Sequence, residues 1–176
     1  MLRYTIQARL AGRLFETFHV DVGIGDPVIG TIEYLETTDL LDFVQLEPAC
    51  VPCYPISTQI AEKLHAYTHI HDSGPSSRAK DFIDLILLAK LGPHDGDELS
   101  AAIRATFNKA GTHAIPGAVP PPPQDWRQPY RRNARSLGLE EIPFDEAYKQ
   151  LQTFLDPVLA GRKNKEAWDP ASWRWI

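Results

Sequence analysis

The 176-residue chain has two cysteines, Cys50 and Cys53, one methionine, and no apolar run near the roughly 20 residues that a membrane-spanning helix needs. Two thiols are too few for a disulfide framework in a chain of this length, so reduced cysteines are expected. The start, MLRYTIQARLAGR, has no apolar signal-peptide core, and a cytoplasmic protein is the expectation. An excess of positive charge is missing too, because 18 Lys and Arg against 23 Asp and Glu leave a net charge of −5. No global positive field therefore holds nucleic acid or an anionic membrane, and any such binding has to be local. What is present is ordinary for a globular chain: 43% hydrophobic, 10% aromatic and 23% charged residues, enough to build a real core.

The opening reads as a β-hairpin. Tyr4, Ile6, Ala8 and Leu10 alternate with polar residues, Ala11-Gly12 supplies the turn, and Leu14, Phe18, Val20 and Val22 continue the period of two. That period puts Thr17, His19 and Asp21 on the opposite face of the return strand, and Gly23-Ile24-Gly25-Asp26-Pro27 ends it. Short strands are expected around Leu41 to Leu46 and Val51 to Tyr54. Three helices follow. The first, capped by Ser57 or Thr58 with Glu62 in a capping box, runs to about His71. The second spans Lys80 to Leu91 and stops at Gly92-Pro93, and the third spans about Glu98 to Lys109.

The proline-bearing stretch 111–124 cannot be helical and acts as a stiff connector. It divides a core, 1–110, from a small helical lobe, 125–176. In that lobe an Arg-rich segment precedes an amphipathic helix from about Phe144 to Leu159, and the tail docks Trp168, Trp173 and Trp175. The fold class expected is α/β of the α+β kind, an antiparallel hairpin followed by helices.

Chemistry concentrates between Tyr54 and Leu88. Glu62 and Lys63 interrupt the apolar side of the first helix, while Arg78, Lys80, Asp81 and Asp84 crowd the start of a second helix otherwise rich in Ile and Leu. Asp81 and Asp84, three residues apart, share one helix face, and Lys63 on the neighbouring helix can reach them. A plain interhelix ion pair is the alternative reading of such a trio, and the resemblance to a known family that these residues carry favours the functional one.

The string T-x-x-A-E-K-L-H-A, a short gap and S-R-x-K-D-x-x-D-L, preceded by F-H-V-D-V-G-x-G-D-P and followed by G-T-H-x-I-P and P-P-x-x-W, resembles the AbiEii/AbiGii family of nucleotidyltransferase toxins, which includes MenT-related members. The resemblance covers nearly the whole chain. It implies a partial nucleotidyltransferase-like core with a helical C-terminal lobe, and transfer of a nucleotide from an NTP to an RNA or protein acceptor, often the 3′ end of tRNA. It further implies magnesium, an AbiEi-like antitoxin as partner, and a role in abortive infection, a form of phage defence.

By the same resemblance Lys63 contacts the NTP phosphates, Arg78 through Asp84 forms the family's R-x(4,5)-D motif, and Asp84 lies nearest the acceptor hydroxyl. Lys80 and Asp81 adjoin the substrate. Asp21 is a further core carboxylate able to face the metal, although a solvent-facing strand acid has the same pattern. The residue types suit phosphoryl transfer, which needs cations on the triphosphate, carboxylates for metal, and an acid or base at the attacking hydroxyl.

The family's first motif, a Gly-Ser or Gly-Gly turn leading to an Asp-x-Asp strand that holds magnesium, is not found ahead of the hairpin. Gly23-x-Gly25-Asp26 follows the strand and is no substitute. An upstream start, a second chain completing the site, and a noncatalytic remnant that binds antitoxin or tRNA all remain open. The expectation is that the chain alone has little or no activity.

Arg127, Arg131 and Arg135 recur every four residues beside Arg132, a basic stripe able to meet RNA phosphates or else a solvated face paired with Glu140, Glu141 and Asp145. His65, His69 and His71 have zinc-like spacing without the Glu of H-E-x-x-H. Cys50-Val-Pro-Cys53 has redox spacing but no following helix N-terminus to lower a thiolate pKa.

Overall fold

The computed structural model describes residues 2–23, 30–39, 43, 45, 47–69, 79–139, 142–162 and 166–176. The chain is α+β, as its patterning indicates. Strands β1 (Leu2–Leu10) and β2 (Arg13–Val22) form the antiparallel hairpin, with Leu2 opposite Val22, Tyr4 opposite Val20 and Ile6 opposite Phe18. Ala11 and Gly12 both have positive φ, 48° and 78°, the backbone of a two-residue primed turn whose twist suits the flanking strands. A bulge at Ala8/Arg9 shifts the register near the tip. Every hairpin residue except Ala8 is exposed.

Strands β3 (Glu33–Glu36) and β4 (Cys50–Cys53) make a second two-stranded sheet. The expected strand at Val51 is therefore present, but its partner is 33–36. Of the expected strand Leu41 to Leu46, only residues 43 and 45 lie among the described residues, and neither is in a strand.

Helix α1 (Ile56–Thr68) starts at Pro55, not at a Ser or Thr cap. Proline needs no N–H there, and its fixed φ suits a helix entry. Ser57 and Thr58 sit inside the first turn, and Ser57 donates its hydroxyl to Glu98 at 2.6 Å. The α1 stripe Ile60, Ala61, Leu64 and Tyr67 packs on α2 (Ala79–Lys90) and α3 (Gly96–Ala110). Asp95 caps α3 by accepting from the Glu98 N–H at 2.8 Å, and Gly111 at φ 60° closes its other end.

A 3-10 turn at Gln124–Trp126 leads into α4 (Arg127–Ser136), and α5 (Phe144–Leu159) packs against α2, α3 and α4. One hydrophobic cluster joins Ile60, Phe82, Leu99, Tyr130, Leu151 and Trp168.

The proline connector has neither helix nor strand before the 3-10 turn. Tyr67 and Tyr148 donate their hydroxyls to the carbonyls of Pro120 (2.6 Å) and Val119 (3.0 Å), and Asp156 accepts from the Val119 N–H at 2.7 Å. The tail docks as expected, through a three-stranded sheet of β5 (His94–Asp95), β6 (Ala167–Asp169) and β7 (Arg174–Trp175). Trp168, fully buried, donates its indole N–H to the Ala89 carbonyl at 2.8 Å, and Trp175 donates to Phe154 at 2.9 Å. Among the described residues no helix is long and apolar enough to cross a membrane.

Candidate functional site between the first two helices

Two helices bring the charged residues together. Tyr67 stacks on Phe82 with ring centroids 6.1 Å apart, and the apolar stripes of α1 and α2 set their spacing. Lys63 then projects from α1 across α2. Its Nζ lies 2.6 Å from Asp84 Oδ2 and 3.2 Å from Asp81 Oδ1. Asp81 is nearly buried, its side chain 12% exposed, whereas Lys63 and Asp84 are 38% and 36% exposed. Burial alone would lower the Lys63 pKa, but the two carboxylates outweigh it and hold the ammonium above its usual range.

Asp84 also lines a crevice of about 150 Å³ with Lys80, Ile83, Asn133, Ser136 and Leu137, between α2 and α4. Lys80 is exposed at its rim. Arg78 lies outside the described residues.

Asp21 does not join this group. At the far end of the hairpin from its turn, both of its oxygens are taken by Arg3, at 2.6 Å from Nε and 2.7 Å from Nη2. The guanidinium holds the Asp21 carboxyl below its ordinary range. Thr5 and His19, 3.2 Å apart, continue the same polar face.

Magnesium fits poorly among these side chains. Lys63 already occupies Asp81 and Asp84 and offsets one of their two charges, Asp21 is spent on Arg3, and among the described residues no group of three or more His, Cys, Asp or Glu is arranged to hold a metal ion. The sequence contains one Asp-x-Asp string, Asp95-Gly96-Asp97. It is a helix start, with Asp95 spent on capping α3.

The basic stripe is split. Arg127 pairs with Asp145 at 2.6 Å, bonds Gln124 at 2.7 Å and lies 4.9 Å over the Phe144 ring, so it latches α4 to α5. Arg131, Arg132 and Arg135 stay exposed and, with Gln128, line a groove of about 400 Å³. Glu140 and Glu141 lie outside the described residues.

The histidines form a hydrogen-bonded chain. Thr68 donates its hydroxyl to the Leu64 carbonyl (2.9 Å) and so accepts from His113 Nε2 (2.8 Å). His113 Nδ1 then accepts from Thr112 (3.0 Å), which accepts from His65 Nε2 (2.8 Å). Both nitrogens of His113 are thus occupied by threonines, and His69 packs edge-on at 5.4 Å between ring centroids. His71 lies outside the described residues. Cys50 and Cys53 are free thiols on β4, and contrary to expectation a helix N-terminus does follow them, since α1 begins at Ile56, three residues past Cys53.

Sequence reasoning found the Lys63, Asp81 and Asp84 trio, because helix spacing carries it. It missed the part His113 plays, 44 residues beyond His69, and the latch at Arg127, whose partners lie in α5. The family model described as nucleotidyl transferase AbiEii toxin, type IV TA system, matches residues 1–175. No curated protein matches the chain.

Proposed function

Because the chain belongs to the AbiEii nucleotidyl transferase toxin family of type IV toxin–antitoxin systems, we propose that it transfers a nucleotide from an NTP to an RNA acceptor, with tRNA as the first candidate. The observation that carries this reading is the Lys63, Asp81 and Asp84 cluster, whose Asp84 also lines the crevice between α2 and α4. Lys63 is the cation for the triphosphate. Asp81, nearly buried, fixes the lysine's position from below.

Asp84 is exposed enough to reach an acceptor hydroxyl and align it, which is what a dissociative phosphoryl transfer asks of a carboxylate. Lys80 lines the crevice, and Arg78, the arginine of the family motif, is assigned to orienting phosphate or acid. When Lys63 turns toward phosphate it leaves the two carboxylates, so NTP binding competes with an existing ion pair. That competition, together with the poor fit for metal, supports weak transfer by this chain alone. The wider role is that of a toxin opposed by an AbiEi-like antitoxin in phage defence by abortive infection, acting in the cytoplasm.

The test is incubation of the purified chain with magnesium, α-labelled NTPs and total tRNA, with Lys63→Ala and Asp84→Asn alongside. Slow labelling of RNA by the wild type alone is expected. A second reading, a noncatalytic RNA- or antitoxin-binding protein, is favoured by the Arg3–Asp21 pair, which occupies the carboxylate that resembles the family's further core acid. Absence of label together with retained RNA binding would establish it.

A further inference from the structure

We infer that the groove on α4 lined by Arg131, Arg132, Arg135 and Gln128 binds the phosphate backbone of RNA and leads the strand toward the Asp84 crevice. The inference rests on the proposed transfer to RNA and names the surface that holds the acceptor. Four arginines fall within the ten residues Arg127–Ser136, which contain no acidic residue, in a chain of net charge −5. One of them, Arg127, is used up in the latch to Asp145 and Phe144.

The other three have no ion-pair partner among the described residues, although acidic side chains outnumber basic ones in the chain. Guanidinium groups converging on one groove, with no acidic residue in their own helix, form a local positive site that the overall charge hides. Arg131 and Arg135 are one helical turn apart, about 6 Å along the axis, so successive phosphates can be met by successive forks.

The groove's chemistry indicates what it reads. No aromatic side chain lines it, and its guanidinium forks match phosphate oxygens, so the contacts are to the backbone. Binding by this surface is therefore independent of sequence and strongly dependent on salt. The position on the helix ties the groove to the chemistry. Ser136, next to Arg135 and one turn beyond Arg132, lines the crevice that contains Asp84 and Lys80. A strand held on the arginines thus has its end within reach of Asp84.

The experiment is fluorescence anisotropy of a labelled 20-nucleotide single-stranded RNA with the full chain, titrated at several salt concentrations. The variants are Arg131→Ala/Arg132→Ala/Arg135→Ala and a control of equal charge change, Lys90→Ala/Lys109→Ala/Lys149→Ala. The groove variant should bind at least tenfold more weakly at 50 mM salt. Its slope of log K against log salt should be shallower by about 2, the release expected for three phosphate contacts on a single strand.

The control should stay within about threefold of the wild type. Equal binding by the groove variant and the wild type overturns the inference. So does displacement of the RNA by polyglutamate as effectively as by unlabelled RNA, which would make the groove a surface for an acidic protein. Circular dichroism of each variant checks the fold. Because anisotropy involves no chemistry, a failure of nucleotide transfer at Lys63 leaves this result readable.

Discussion

Ile60, Leu64, Phe82, Leu99 and Leu151 are fully enclosed between helices, whereas Leu2, Tyr4, Ile6, Phe18, Val20 and Val22, in an equally regular pattern on the hairpin, remain 38% to 53% exposed. Both regions carry clear apolar faces, with period 3.6 in one and period two in the other. The difference lies in the second layer. Each helix stripe meets another helix, while the hairpin face meets no other described element closely. A two-stranded hairpin alone is marginal in water, so its order depends on the primed turn and on cross-strand pairs such as Arg3–Asp21. Periodicity thus tells which face is apolar but not whether anything covers it.

The comparison can be broken most forcefully at Phe154, whose ring sits 4.8 Å from Trp168 and 5.5 Å from His94 between centroids. Phe154→Ala should cost about 3 to 5 kcal/mol by denaturant unfolding. Next comes Lys63→Met, which takes the Lys63 ammonium away from the nearly buried Asp81 and from Asp84. The partial exposure of Lys63 and Asp84 reduces the effect to about 1 to 2 kcal/mol, between surface and buried values.

Acid should then separate the helical part from the hairpin. His94, buried and donating Nε2–H to the Leu88 carbonyl at 2.9 Å, has its pKa lowered by burial, against the pull of that carbonyl. Burial, and the nearby His69, also lower that of His113. Folded values below the ordinary 6.5 mean that the unfolded chain takes up protons first, so stability is full above about pH 6.5 and falls as pH drops below it. The melting temperature should therefore decline from pH 7.5 to 5, and His94→Gln, which keeps a donor at the same place, should flatten that decline.

Loss of one cap is smaller: Asp95→Ala should cost about 1 kcal/mol. On the hairpin, Val20→Ala should change global stability by no more than about 0.5 kcal/mol, because its side chain has little packing to lose. A cost near that of Phe154→Ala would mean that the hairpin face is covered in solution.

Much of this architecture was legible in the sequence. The hairpin and its turn, α5, and the Lys63, Asp81 and Asp84 trio follow from spacing alone, since each depends on residues close in sequence or on neighbouring helices. The strands β3 and β5 to β7 were not legible, because segments of two to four residues are too short to show a period. The start of α1 was misread for another reason. Ser57 and Thr58 have the chemistry of caps, but Pro55 sets the entry, and the Ser57 hydroxyl turns to Glu98, 41 residues away. Arg127 shows the same limit, since a regular stripe of arginines does not reveal that Asp145 and Phe144 claim one of them.

The central claim is that Lys63 exchanges Asp84 for a triphosphate while Asp84 serves the acceptor. The most direct measurement compares NTP affinity with nucleotide transfer in Asp84→Asn. Removing that charge should tighten NTP binding, because Lys63 loses its nearest competitor, and should abolish labelling of RNA. Weaker NTP binding, or transfer that survives the substitution, would contradict the account.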